Sequence, residues 1–183
     1  MSGREHPFMT VYTNWLVVFL ILFLLIVVSD CYYANPRGMK APWPGGRTFK
    51  VNQGNFGPYS HNIPYTYYAW DFDLPLYTPV VAVARGIAAV VDYKDDGYGN
   101  RIQVRHSNGT YSLYAHLDSF GVYPGEEVSQ GEIIVCSGIT GYTNGPHLHF
   151  SIIDKENYSL PSIFSDIGVP VEGMYYTSRN WTV

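Results

Sequence analysis

The stretch Gly141-Tyr142-Thr143-Asn144-Gly145-Pro146-His147-Leu148-His149-Phe150-Ser151-Ile152-Ile153 joins a turn-rich approach to an apolar, β-branched run. Residues two apart on an extended strand face the same way, so a strand here sets both imidazoles over one site. Such a pair can share a metal, or divide its work between a metal and a proton, because histidine titrates near neutrality. Working outward, short β-like runs recur at Thr48 to Val51, Pro79 to Ala84, Ile87 to Tyr93, Arg101 to His106, Thr110 to His116 and Glu132 to Cys136. Gly86, Asp96-Gly97, Asn108-Gly109, Pro124-Gly125 and Gly138 punctuate them. Sustained helical periodicity is absent from this part of the chain. The pattern predicts an all-β domain over residues 48–153, a sandwich or barrel. Residues 35–47, with their prolines and glycines, read as a linker or extended arm, and residues 154–183 as a turn-rich extension with no assigned chemistry.

The chain has 183 residues and a formal net charge of -4, which gives no footprint for nucleic acid. Its 17 tyrosines suit either pleated surfaces or a groove for a polar ligand. Cys31 and Cys136 are the only cysteines, so neither a disulfide framework nor a cysteine zinc cluster is expected. Residues 1–34 form a leader whose unbroken apolar run, Trp15 to Val28, is short of the ~20 residues of a full bilayer crossing. It is a signal-peptide core or a short anchor; Tyr32 and Asp30 spoil the usual cleavage patterns, which favours an uncleaved anchor. Only Arg4 precedes the run, whereas Arg37, Lys40, Arg47 and Lys50 follow it. That flank argues for a cytoplasmic C-terminal part, against the export that the site argues for.

Upstream of His147 and His149 lie further candidates: His61, Asp71 in Ala69-Trp70-Asp71-Phe72-Asp73, and His116 in Tyr114-Ala115-His116-Leu117. As the end of an alternating strand, His116 is expected to share a face with Ser112 and Tyr114. A hydrolytic zinc site wants three nitrogen or oxygen ligands and an open position for water, and these residues meet that need. His-Glu-x-x-His is missing, which excludes a helix-borne zinc protease. His106 reads as a solvated strand end, and Asp73 as a turn partner or a supporting group more than a ligand. Tyr65, Tyr67 and Tyr68 either line a cleft or pack.

Taken together, Ser60-His61, Ala69-Trp70-Asp71-Phe72 with Pro75, Thr78-Pro79-Val80, Gly97-Tyr98-Gly99-Asn100, Tyr114-Ala115-His116-Leu117, Gly138-x-x-Gly141 and Gly145-Pro146-His147-Leu148-His149-Phe150 resemble the lysostaphin-type, or LytM-type, zinc metallopeptidases. These enzymes cut peptide cross-links in bacterial peptidoglycan. The resemblance spans roughly residues 50–153. It implies a folded-over sheet, of the barrel-sandwich (duplicated-hybrid-motif) kind, with one Zn2+ per chain on the floor of a groove. By position, His61, Asp71 and His149 correspond to the zinc ligands, and His116 and His147 to the non-ligating pair that handles the proton and developing charge. Many members have the first histidine and the aspartate four apart; here nine residues, Asn62 to Trp70, intervene, and the spacing to Pro75 selects Asp71 over Asp73. The implied partner is a peptidoglycan peptide, with the N-terminal segment on the membrane and the catalytic domain outside the cytoplasm. A relative that only binds peptidoglycan or activates another hydrolase is the alternative. A carrier or phosphotransfer domain, suggested by Pro124-Gly125-Glu126-Glu127-Val128, has no need of an aspartate ligand.

Overall fold

Alternating apolar and polar residues in short runs bounded by glycine leave the chain little choice but strands. A computed structural model describes residues 15, 17–20, 33–94 and 97–181. Among them are β1 (Thr48–Gln53), β2 (Trp70–Phe72), β3 (Pro79–Val81), β4 (Gly86–Lys94), β5 (Gly99–Arg105) and β6 (Tyr111–Ala115). There follow β7 (Glu127–Val128), β8 (Ile133–Cys136), β9 (Leu148–Ile153), β10 (Ser159–Leu160) and β11 (Tyr175–Thr177). The large sheet runs β11-β1-β2-β9-β6-β5-β4-β7, with β10 added along β9, and β3 pairs β8 in a second ladder. Every pairing between these strands is antiparallel, as expected for an all-β chain of tight turns.

The two ladders close on one core. Leu148, Phe150 and Ile152 of β9 belong to it together with Val80 of β3 and Ile134 of β8. β9 is buried along its whole length, because its other face is covered as well, His149 and Ser151 included. The register sets Asp71 opposite His149 and His149 opposite Ala115, so one row of side chains crosses three strands on the face away from the core.

From Tyr33 onward the chain is one unit. Residues 35–47, expected as a linker, carry Met39, Ala41 and Trp43 into the core, each with no exposed surface. Trp43 packs edge-on against Phe72, with ring centroids 4.9 Å apart, and its indole N–H donates to the Arg47 carbonyl at 2.9 Å. The C-terminal segment is equally built in. Phe164 sits against Trp70 and Phe150, and β11 forms the edge of the sheet beside β1. Asn180 donates from Nδ2 to the carbonyls of Ala41 (2.9 Å) and Ala82 (3.1 Å).

Two sequence expectations need correction. His106 is not solvated: it is 4% exposed, donates from Nδ1 to the Arg85 carbonyl at 2.9 Å, and meets Ser112 Oγ at 3.0 Å through Nε2. Ser112 in turn bonds the Tyr114 hydroxyl, whose burial pushes its pKa up to about 12. The alternation rule placed His106 at a strand end; the turn 106–109 folds it back over the sheet. Likewise His116 does not share a face with Ser112 and Tyr114. Its φ of 59° breaks the alternation just after β6 and turns its ring to the opposite side.

Cys136 is a free, half-buried thiol, and Cys31 lies outside the described residues. Of the leader, Trp15 and residues 17–20 are helical; the expectations for the rest of 1–32 fall outside the described residues. Among the described residues no helix is long and apolar enough to cross a membrane.

Trp43→Ala should lower unfolding free energy by about 3–5 kcal/mol in denaturant titration, the usual cost of emptying a packed aromatic site. Burial also holds the His106 pKa below its ordinary 6.5, against the opposing hydrogen bond to Arg85. The unfolded chain therefore takes up this proton first as pH falls, so stability should decline below about pH 6.5. His106→Gln should flatten that acid limb of a melting-temperature profile.

Candidate metal centre

A three-residue strand, β2, holds Asp71 in the sheet because Trp70 and Phe72 on either side are anchored in the core. β9 supplies His149 directly opposite, and His147 immediately precedes that strand. His61 comes from a loop, its backbone N–H bonded to the Gly57 carbonyl at 3.1 Å and its Nδ1 donating to the Gly54 carbonyl at 2.8 Å. The result is a convergence on one oxygen: Asp71 Oδ1 lies 2.9 Å from His149 Nδ1, 3.3 Å from His61 Nε2 and 3.7 Å from His147 Nε2. His116 stands beside them, its ring 4.6 Å from that of His147. All five candidates read from the sequence thus lie together, lining an open cleft of about 880 Å³ except for His61, which is fully buried beneath it. Asp73 is exposed and outside the cluster.

Hydrogen-bond roles narrow the chemistry. Because a carbonyl only accepts, His61 carries a proton on Nδ1 and turns Nε2 toward Asp71 Oδ1 and, at 3.4 Å, toward His149 Nδ1. His149 Nε2 is buried without a partner. His61, Asp71 and His149 each offer one ligand atom within 4.8 Å of the others, an arrangement that a single cation among them would satisfy. Burial works to raise the Asp71 pKa, but the adjoining His149 and His61 rings outweigh it and hold the carboxyl well below the usual carboxylate range. Burial lowers the pKa of His149 and, aided by the nearby His149 and His147, takes His116 down to about 4. His149 and His116 are thus neutral at neutral pH, the form that ligates a metal or accepts a proton. Two nitrogens and one oxygen with an open side fit a hydrolytic metal centre.

Gln53 was invisible as a site residue in the sequence. Its Nε2 donates to Asp71 Oδ2 at 3.0 Å and to Ser60 Oγ at 2.7 Å, while Oε1 accepts from the N–H groups of Tyr59 and Ser60. It therefore orients the carboxylate and ties it to the loop that bears His61. Tyr98 also abuts the cluster, its ring 5.5 Å from that of His149. Of the insert tyrosines, Tyr65 lines the cleft and stacks on Tyr158 at 4.9 Å, whereas Tyr67 and Tyr68 pack on Phe56.

An antiparallel sheet that floors a cleft with a histidine–aspartate–histidine cluster, and sets two more histidines on its wall, fits the class of hydrolytic centres built on a single metal ion. The chain belongs to peptidase family M23, whose sequence profile matches residues 65–161. It is 45% identical over 80 residues to the DD-carboxypeptidase/endopeptidase Mpg of Neisseria meningitidis, covering 44% of this chain and 18% of that protein. It is 39% identical over 84 residues to the peptidoglycan DD-endopeptidase ShyA of Vibrio cholerae, covering 45% and 19%. The structure of the antimicrobial peptidase lysostaphin from Staphylococcus simulans superposes with a TM-score of 0.54 at 33% identity, over 65% of this chain and 47% of that one. The matched region spans less than a fifth of the length of the two curated relatives, Mpg and ShyA.

Gln53→Leu, which keeps the volume but removes both roles of the amide, should weaken metal binding by about 10- to 100-fold in competition with a chromophoric chelator. An unchanged affinity would mean that Asp71 is oriented without it.

Proposed function

We propose that this chain is a zinc-dependent endopeptidase that hydrolyses peptide bonds of peptidoglycan stem peptides or cross-bridges at the bacterial cell envelope. The observation that carries the proposal is the convergence of three ligand atoms beside two further imidazoles on an open cleft, in a chain of peptidase family M23. The likeness to ShyA, a peptidoglycan DD-endopeptidase, supports the substrate class. The two packed ladders suit the barrel-sandwich arrangement.

His61 Nε2, Asp71 Oδ1 and His149 Nδ1 would hold the zinc ion. Bound there, zinc would supply Lewis acidity, polarising the scissile carbonyl and acidifying water. The chain's own residues do the rest. His116 donates from Nδ1 to the Thr140 carbonyl at 2.9 Å, and His147 from Nδ1 to the Gly145 carbonyl at 3.0 Å. Each ring, when neutral, therefore carries its lone pair on Nε2. One of the pair accepts the proton of the attacking water at Nε2 and returns it to the leaving amine; the other, when protonated, faces the charge that develops on the carbonyl oxygen. Asp71 stays ionised and takes no proton, because its neighbours hold its pKa so low. Tyr59, Tyr65 and Tyr142 stand along the cleft where an extended peptide would lie. The apolar run Trp15 to Val28 would keep the domain at the envelope, outside the cytoplasm.

Metal-stripped protein should release no new amines from purified sacculi, and zinc should restore the release. Zinc-loaded protein that binds sacculi without cutting them would instead be the non-catalytic relative. His61→Ala, Asp71→Ala and His149→Ala should lose bound zinc. His116→Ala and His147→Ala should keep it and lose about 10²- to 10⁴-fold in turnover, the usual worth of a general acid–base group. Equal zinc loss in all five variants would overturn this division of roles.

A further inference from the structure

The segment 140–145 crosses the cleft wall as a strap between β8 and β9, and it contacts both histidines that lie outside the three-donor grouping. The Thr140 carbonyl accepts from His116 Nδ1 at 2.9 Å. At the other end the Gly145 carbonyl accepts from His147 Nδ1 at 3.0 Å, with Thr143 Oγ1 3.1 Å from the same nitrogen. Two acceptors on one short strap therefore fix the same tautomer in two rings, with the proton on Nδ1 and the lone pair on Nε2.

The strap is held by the Tyr142 N–H, which donates to the Gly97 carbonyl at 2.9 Å, and by a pair of threonine hydroxyls. Thr140 Oγ1 donates to the Leu117 carbonyl at 2.8 Å and accepts the Asn100 N–H at 2.9 Å, so it joins the strap both to β5 and to the residue that follows His116. Asn100 strengthens the same junction, donating from Nδ2 to the carbonyls of Leu117 (3.2 Å) and Asp118 (3.1 Å). Thr143 Oγ1 donates to the Gly145 carbonyl at 2.7 Å and accepts the Gly145 N–H at 3.2 Å, which curls the strap under His147. The strap can lie this close only because two glycines face each other. A Cβ on Gly141 would sit 2.4 Å from Gly97 O and Gly99 N, and one on Gly99 would sit 2.4 Å from the Thr140 carbonyl carbon. His116 itself has a φ of 59°, a conformation that a non-glycine residue keeps only where its surroundings impose it. The Tyr98 carbonyl does so by accepting the His116 N–H at 2.9 Å.

We propose that Thr140 and Thr143 are positioning residues: their hydroxyls fasten the 140–145 strap, and the strap holds His116 and His147 as Nδ1–H tautomers with Nε2 directed at substrate. The proposal rests on the peptidase reading above for its catalytic consequence, but not for the tautomers. Neither hydroxyl bonds to His61, Asp71 or His149, so the metal cluster does not depend on them.

The test uses the full zinc-loaded chain and the variants Thr140→Val, Thr143→Val, Thr140→Ser and Thr143→Ser. The valine variants should lose about 10- to 100-fold in kcat on a peptidoglycan peptide, with KM and zinc stoichiometry unchanged, as small misplacements of catalytic groups do. Serine, which restores the hydroxyl, should restore kcat. Long-range proton–nitrogen spectra of the histidine rings should show Nδ1-protonated rings 116 and 147 in the parent and mixed tautomers in the valine variants. Parent-like kcat and tautomers in the valine variants would overturn the proposal, as would serine variants no better than valine or zinc lost in step with turnover. If Thr140→Val does not fold, Thr143→Val, on a half-buried loop, decides. If the parent cleaves no peptide, the peptidase reading fails while the ring spectra still decide the strap.

Discussion

Asp71 stands directly opposite His149 in the ladder between β2 and β9, and the cleft is arranged around that pairing. Opposite residues of an antiparallel pair share a face, so backbone hydrogen bonds alone bring a carboxylate and an imidazole within reach of each other. The observed 2.9 Å between Asp71 Oδ1 and His149 Nδ1 follows from register. A slip by one residue in either strand would send its polar side chain into the core. It would also drive Trp70 and Phe72, or Leu148 and Phe150, out to the cleft side, which the complete burial of those four apolar groups forbids. The apolar core thereby fixes polar geometry on the opposite side of the same strands.

A carboxylate at Asp71's depth is costly unless its lone pairs are answered. Oδ2 is answered by the Gln53 amide, and Oδ1 by the rings of His149 and His61. With His61 Nδ1 committed to the Gly54 carbonyl, His61 Nε2, Asp71 Oδ1 and His149 Nδ1 are left facing one another at 2.9 to 3.4 Å. One divalent cation would satisfy all three inward-facing atoms at once. Like His61, each of the two remaining histidines donates its Nδ1–H to a backbone carbonyl, so the tautomer does not tell ligand from proton carrier; position does, because His116 and His147 line the cleft outside the three-donor grouping.

The chemistry-bearing residues were legible because histidines are few and, with Asp71, stand in recognisable phrases, and the longer strands because period-two patterns survive over five or more residues. Harder to read was whatever depended on contacts distant in sequence. β2 is three residues long, too short to show a period, although it carries Asp71. Prolines and glycines made 35–47 look like a linker, yet Met39, Ala41 and Trp43 are core, held by Asn180 and Ser178 from the far end of the chain. Gln53, Thr140 and Thr143 are neutral side chains whose roles consist only of hydrogen bonds, and no local pattern marks those. The face of His116 was misjudged because alternation assumes extended backbone, and a single positive φ reverses it.

His61 differs from the other donors in owing nothing to sheet register, and its placement shows what the insert and the C-terminal segment contribute. Its loop is held from below by Gln53, whose side chain passes so close to Gly57 that a Cβ there would lie 2.2 Å from Gln53 Cγ. From within, Thr66 Oγ1 donates to the Ser60 carbonyl at 2.6 Å. From outside, β10 closes over it: Ser159 donates to the Pro64 carbonyl through both N–H and Oγ, and accepts the Tyr68 N–H. Ordering a loop of this length is entropically expensive, and each fastener reduces what ligand binding must supply. The longer spacing between His61 and Asp71 is therefore tolerable in this chain because β10, itself paired along β9, anchors the insert to the same strand that carries His149. Loop and sheet meet at one strand, and the three donor atoms stay in step.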